Sequence, residues 1–536
     1  MNRQFAIELL ENLLERAKRK SETTVLTSRE VDALDLLVQE IRAEPSPAAR
    51  IEDIEPAKPT SILIPVYIDD SDIPKDTLLC IDFGTSFSKS FASIDTGELL
   101  PRLIDLPIGG AGSGKSALVS PSELLFDQGQ LYFGTSARKH FDDTQASTDR
   151  LIDSIKQYMT LGKDVSHLAK IKLNPVQDPS QNFFQSDILT LYLAHLMYLT
   201  EMALEAKGVS VNALRRFAHP AWNDAHKEGN EAAMTVMMAQ AILLARSLKD
   251  KLLVSMSVTE ARAALDELQT LDRSKLPLNL IGRPVREATA AGAGALLGGR
   301  PNSREFYLIV DVGAGTTDVA GCICRTSDEW ERPRVWEVTT AADAIKSAGN
   351  ILDDALLKLA VQKCGLFGGS TEYQAAVASV RRDKRLYKER LFDNGSVLIE
   401  MPTGDIVTIE LTEFLGFPPV VDFSQRIRAL VGKAAAAVAG DYNQVNLVAT
   451  GGGATLPMIK GLAEEGVEYE GRHISIIWRE PIPEGVGEEY PDLVAPYSQI
   501  AVALGGCLPI LPEQRANTHS GITGVPKTVL MPSYKS

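Results

Sequence analysis

Apolar positions along the chain fall into three regimes. In the first 43 residues, Phe5, Leu9, Leu10, Leu13, Leu14 and Ala17 recur at helical spacing between charged residues. Thr27 and Glu30 form a capping box ahead of Val31, Leu34, Val38 and Ile41. Residues 1–43 therefore read as a helical hairpin whose apolar stripes need a partner: each other, the main domain, a second copy or another protein. Next come Pro45, Pro47, Pro56, Pro59, Pro65 and Pro74 among acidic and small residues. They make 44–75 a Pro-rich linker, with 62–68 a candidate docked edge strand. Beyond it, apolar strands at 78–81, 306–310 and 445–449 alternate with helical patterns at 186–206, 230–247, 257–271, 351–363 and 422–439. That alternation predicts α/β architecture. Residues 513–536 lack periodicity and read as a tail.

Composition narrows the class. The 536 residues are 44% hydrophobic and 23% charged, enough to bury a large core, at about 150 residues per domain. A disordered chain, a collagen-like fibre and a disulfide scaffold are excluded. The net charge of −15 leaves no broad footprint for nucleic acid or anionic lipid. Five cysteines show no zinc-ligand spacing, and Cys322 and Cys324, two apart, fall on one side of a strand. Glu8, Glu11 and Glu15 interrupt the N-terminus, and no apolar run approaches ~18 residues. The expectation is a reducing cytoplasm, with no signal peptide, membrane span or nucleic-acid partner.

The chemistry concentrates in three glycine-bearing turns, each after an apolar strand. The first is Asp82-Phe83-Gly84-Thr85-Ser86-Phe87-Ser88-Lys89 and the second Asp311-Val312-Gly313-Ala314-Gly315-Thr316-Thr317-Asp318. The third is Thr450-Gly451-Gly452-Gly453-Ala454-Thr455. Glycines let successive N–H groups point at phosphate oxygens. An aspartate ahead of each of the first two turns would repel a bare phosphate, so a hydrated cation belongs between them; Mg2+ suits the role.

The paired Asp-x-Gly turns resemble the duplicated hairpins of the actin, hexokinase and seventy-kilodalton heat-shock chaperone superfamily. Glu287-Ala288-Thr289-Ala290-Ala291 and Ile500-Ala501-Val502-Ala503-Leu504-Gly505-Gly506 look like its two inter-lobe helices. His219-Pro220-Ala221-Trp222-Asn223-Asp224 and Ser154-Ile155-Lys156 are similar to chaperone segments, the latter bearing the family's catalytic lysine. The resemblance covers roughly 77–512. It implies a two-lobed actin-like ATPase fold of duplicated ribonuclease-H-like domains over 76–512, with lobe I at about 76–300 and 493–512 and lobe II at about 301–492. It implies ATP or ADP with Mg2+ as cofactors. Gly84, Thr85, Ser86 and Lys89 would approach the phosphates from one lobe, and Gly313, Ala314, Gly315 and Thr316 from the other. Gly451, Gly452 and Gly453 would pass along the adenosine, with Lys388 in the adenine region. Asp82, Asp311 and Glu287 would hold the magnesium through water. Lys156 would act on the transferring phosphoryl group, with Glu287, Asp311, Asp82 and Thr316 as the other catalytic candidates.

Several positions depart from the chaperone pattern. Ala288 replaces a proline, Thr455 an arginine and Gln499 an acidic residue; Arg385 and Lys388 align loosely, and Lys89 is closer to actin. Gly109 to Ser116 satisfies the Walker A pattern, but Pro121 lies too close for a following helix, so it reads as a glycine-serine surface loop. The leading expectation is a chaperone-like ATP-binding, slowly ATP-hydrolysing conformational switch without its own peptide-binding domain. Its protein partner or second copy would be reached through 1–43. An actin-like filament protein, a small-molecule kinase and a non-hydrolysing scaffold stand as alternatives.

Overall fold

The computed structural model describes residues 61–516, apart from 110–116, 145–147, 160–163, 223–224, 367, 369, 403 and 511–513. The helical hairpin at 1–43, most of the linker and most of the tail lie outside the described residues. So do the Walker-like loop beyond Gly109, Asn223 with Asp224, and the Arg385 side chain. The chain divides at Thr60/Ser61 into two units, of which the second holds the described residues.

The second unit is mixed α/β. Its first half contributes β1 (Thr77–Asp82), β2 (Phe87–Ile94), β3 (Arg102–Asp105), β4 (Ser120–Pro121), β5 (Leu124–Asp127) and β6 (Gln130–Phe133). After the helix Gln185–Ala206 come β7 (Leu214–His219), the helix Lys227–Leu248, β8 (Ser255–Ser257), the helix Val258–Thr270 and β9 (Val285–Arg286). The main sheet runs β3-β2-β1-β7-β9, with β4 on β2 and a smaller β5-β6-β8 sheet outside it. β1 to β3 form an antiparallel meander, whereas β1, β7 and β9 are parallel and so need the long helical crossovers.

The second half repeats this order. β10 (Arg304–Val312), β11 (Thr317–Arg325) and β12 (Arg334–Ile345) form an antiparallel meander. The helices Gly349–Lys363 and Thr371–Asn394 and the hairpin of β13 (Ser396–Glu400) and β14 (Ile406–Glu410) follow. After the helix Pro418–Ala439, β15 (Gln444–Thr450) returns parallel to β10. Then come the helix Pro457–Glu465, β16 (Val467–Tyr469) and β17 (Arg472–Arg479), which lies parallel to β15. Thus β12-β11-β10-β15-β17 matches β3-β2-β1-β7-β9 in order and sense. β18 (Gln514–Ala516) pairs parallel with β12 at Trp336 to Val338, so part of the expected tail belongs to this sheet.

Each half has its own core. Leu79, Phe133, Tyr192 and Ile242 lie in one; Leu308, Leu356, Phe423 and Leu447 lie in the other. A third core joins the two sheets through the helices Glu287–Leu297 and Tyr497–Gly506. These cross so closely that a Cβ on Gly505 would stand 1.9 Å from the Ala290 carbonyl oxygen. One on Gly506 would stand 2.1 Å from Cys80 Sγ. Small residues are what this crossing requires. Cys322 and Cys324 both face this third core as buried free thiols.

Two boundaries differ from the sequence reading. The linker pattern stops at Thr60: Leu63 is buried, the Ile62 N–H donates to Glu267 Oε2 at 2.8 Å, and the Ile64 N–H donates to Ser247 Oγ at 2.9 Å. The segment docks as extended chain held by side chains, with no strand ladder, because Pro65 removes a donor. Secondly, the helix Thr371–Asn394 and the β13–β14 hairpin form an outer layer that apolar periodicity does not reveal. That helix buries little beyond Ala376, Val380 and Leu391, so its sequence is polar nearly all round. The helix Lys227–Leu248, with the turn to Leu252, is long and apolar enough by composition to cross a membrane. Its apolar residues pack in the first core.

Candidate functional site

Strand register builds the site. In the first hairpin, Asp82 and Lys89 lie directly opposite each other at the mouth of the turn. Lys89 Nζ donates to Asp82 Oδ2 at 3.0 Å. In the second hairpin the same spacing places Asp311 opposite Asp318. The two turns are topological equivalents, but one closes on an ion pair and the other on two carboxylates. β15 brings Thr450 beside Asp311, and its hydroxyl donates to Asp311 Oδ1 at 3.1 Å.

Lys156 completes the cluster. It lies on a short 3-10 helix, Ile155–Met159, with only 4% of its surface exposed, so it is not a solvated surface lysine. Its Nζ donates to Glu287 Oε2 at 2.5 Å, and Glu287 is the first residue of the helix Glu287–Leu297. The neighbouring Arg286 reaches Glu337 on β12 at 2.5 Å, and the Thr289 hydroxyl donates to Glu337 at 2.8 Å. These contacts tie the root of the site to the second sheet.

The electrostatics follow from a charge count. Four buried carboxylates (Asp82, Asp311, Asp318 and Glu287) share the cluster with two ammonium groups, Lys89 and Lys156. Burial, with Asp318 and Asp82 adding to it against the pull of Lys156, pushes Glu287 up to about 8. Burial, again with Asp318 and Asp82, pushes Asp311 up to about 6. Asp318 is raised mainly by burial, although the Thr316 hydroxyl and the Ala221 N–H bond it. Burial alone would lower Lys156, but Glu287 and Asp82 outweigh it and hold its pKa above the usual value. With all four carboxylates ionised the cluster would lack two positive charges, the number that a divalent cation carries; the raised pKa values of Glu287, Asp311 and Asp318 express that deficit. Among the described residues no group of three or more His, Cys, Asp or Glu could hold a metal directly. The donor set therefore suits a hydrated ion such as Mg2+, contacted through its waters, with Asp82, Asp311 and Glu287 as the facing carboxylates.

The turns line a cleft of about 210 Å³ containing Gly84, Thr85, Ser86, Lys89, Lys156, Glu287, Asp82 and Asp311. Gly313, Ala314, Thr316, Lys388, Gly451, Gly452 and Gly453 line it too. Gly315 faces away from it, although a Cβ there would lie 3.1 Å from Thr85 Oγ1, so the turns of the two halves nearly touch. The Gly313 N–H closes its own turn onto the Thr316 carbonyl at 3.0 Å. Of that turn, Ala314 and Thr316 line the cleft as well, so their N–H groups are the candidate ligand donors, whereas Gly315 is not brought there. In the third turn, Gly451 adopts φ +79° against Asp311, and the Gly453 N–H donates to the Val312 carbonyl at 3.0 Å. Those two glycines are needed for packing, whereas Gly452 stands in open space. Lys388, from the outer helix, pairs with buried Asp353 at 2.6 Å and reaches the Gly349 carbonyl at 3.3 Å.

Asp318 is the residue that the sequence reading left without a role. The signal was present: Asp311 and Asp318 repeat the spacing of Asp82 and Lys89. The Gly109 N–H donates to the Ala117 carbonyl at 2.8 Å, and the first strand after the Walker-like loop is β4; the loop itself lies outside the described residues. No protein-family model and no curated protein sequence matches the chain.

Proposed function

We propose that the two halves form a two-lobed, actin-like ATPase fold and that the protein is a chaperone-like, cytoplasmic, ATP-binding and slowly ATP-hydrolysing conformational switch. One observation carries this reading. Two topologically equivalent hairpins, from sheets of the same order and sense, bring Asp82 and Asp311 to one cleft beside the buried Lys156–Glu287 pair.

In this reading the N–H groups and hydroxyls of the 83–86 and 313–316 turns hold the β- and γ-phosphates. Mg2+, when bound, neutralises phosphate charge and offsets the acidic cluster. Lys89 lies beside Asp82 and keeps that carboxylate oriented. Lys156 places its ammonium where charge shifts during transfer, so its contribution grows in the transition state. Closing the cleft on ATP draws the sheets together, and the crossed helices Glu287–Leu297 and Tyr497–Gly506 are the hinge.

Phosphate release from ATP, measured with and without Mg2+, tests the proposal. The full chain should turn ATP over only with the metal. Lys156→Met should lower kcat about 10- to 100-fold while leaving ATP affinity nearly unchanged. A melting curve checks that the variant folds. An unchanged rate would remove Lys156 from the reaction, and absence of both ATP binding and turnover would end the reading.

A filament-forming alternative rests on Lys89, which is closer to the actin pattern than to the chaperone one and lines the cleft. ATP-dependent sedimentation of the full chain would favour it.

A further inference from the structure

A second, larger cavity of about 690 Å³ adjoins the first. Gly315 and Gln157 line it, whereas their neighbours Ala314, Thr316 and Lys156 line the acidic cleft. The 313–316 turn and the Ile155–Met159 helix are therefore the partition between the two spaces. One wall comes from the first half, with Ser154, Tyr158, Asn174 and Gln185; the other carries Asn350 from the second.

The lining chemistry is selective. Side-chain amides are the commonest polar groups in it, and an amide carries a donor and an acceptor at fixed spacing, as a hydroxyl does. Gln185 Oε1 is buried with no partner among the described residues, so it waits for a donor. Asn174 Oδ1 already accepts the Val176 N–H at 3.0 Å, which leaves the Asn174 amide nitrogen to donate. Burial and the Asp153 charge push the Tyr158 phenol up to about 12, so it stays protonated and can donate.

Concentrated charge is lacking. Lys172 is engaged by the Gln181 carbonyl at 3.0 Å and lies over the Phe184 ring, while Lys346 and Asp153 oppose each other in sign. A phosphate, a polycarboxylate or a metal ion would find no matching set of counter-charges. Among the described residues Tyr158 is the one aromatic in the lining, too little to sandwich a flat base. Ile152, Leu173 and Ile351 add apolar surface suited to the C–H face of a ring. The volume lies within the range of small-molecule sites, about 300–1,000 Å³.

We propose that this cavity binds a small, uncharged polyhydroxylated molecule, a monosaccharide or linear polyol, through the amides of Asn174, Gln185 and Asn350. An occupant touches both halves and favours whichever arrangement brings them together.

Saturation-transfer NMR on the full chain without nucleotide tests this, using hexoses, pentoses and linear polyols at about 10 mM. At least one should bind, with Kd of roughly 1 mM or tighter. Asn174→Ala combined with Asn350→Ala should weaken it at least about tenfold, since two polar contacts are lost. If that double variant fails to melt cooperatively, Asn350→Ala alone decides. Its side chain makes no hydrogen bond among the described residues, and its backbone N–H to the Ala314 carbonyl remains. No binding across the panel, binding indifferent to these substitutions, or capture of extended peptides in place of polyols would overturn the proposal. Because nucleotide is omitted, failure of the ATP reading leaves this result standing, and the converse also holds.

Discussion

Asp318 stands opposite Asp311 with no lysine between them, and the fold tolerates the repulsion only at a cost. Burial raises the pKa of both carboxylates, so their ionised forms destabilise the cation-free protein at neutral pH. Asp318→Asn keeps an oxygen for the Ala221 N–H while removing one charge. It should therefore raise the melting temperature of the metal-free protein and lower Mg2+-dependent ATP turnover by about tenfold or more. A fall in melting temperature with unchanged turnover would show that Asp318 is only a structural acceptor. His195 gives a second prediction at this scale. Its ring is fully buried, its Nδ1–H donates to the Leu252 carbonyl at 2.7 Å, and burial lowers it to about 4. A folded pKa below the unfolded value means that the unfolded chain binds the extra proton. Stability from this group is complete above about pH 6.5 and is lost as pH falls toward 4, by roughly 3 kcal/mol in all. Chemical denaturation across that window should show the loss, and His195→Gln, which has no proton to gain, should flatten it. An equal slope in the variant would refute this.

The crossed helices Glu287–Leu297 and Tyr497–Gly506 test the account through packing. A Cβ on Gly505 would fall 1.9 Å from the Ala290 carbonyl, and backbone on both sides leaves no flexible atom to give way. Gly505→Ala should therefore destabilise by about 2–4 kcal/mol despite the better helix propensity of alanine. A melting temperature at or above that of the parent would show that the helices separate freely. The same crossing explains what could be read from the sequence. The segments Glu287 to Ala291 and Ile500 to Gly506 are rich in small residues, and that announced a close crossing. The core strands β1, β10 and β15 were legible because burial on both faces makes their apolar runs continuous. The helix Thr371–Asn394 escaped because it packs on one side only and carries charge around the rest. Lys388 was reached through the family resemblance, while its buried partner Asp353 was not.

Across the whole second unit, two sheets of identical order place equivalent turns at one cleft, and that duplication was visible as two Asp-x-Gly motifs over two hundred residues apart. Register was not visible, because it depends on which strands become neighbours. Hence the Asp311–Asp318 opposition, the Arg286–Glu337 tie between halves and the amide-lined cavity emerged only in three dimensions. The central claim is that the cleft between the two turns takes the nucleotide phosphates with a hydrated cation. A crystal structure of the full chain grown with Mg2+ and a non-hydrolysable ATP analogue tests it most directly. The account predicts phosphates held between the 83–86 and 313–316 turns, with Asp82, Asp311 and Glu287 contacting the metal through water. A nucleotide bound on the 109–116 loop, or an acidic cleft left without nucleotide at saturating analogue, would contradict it.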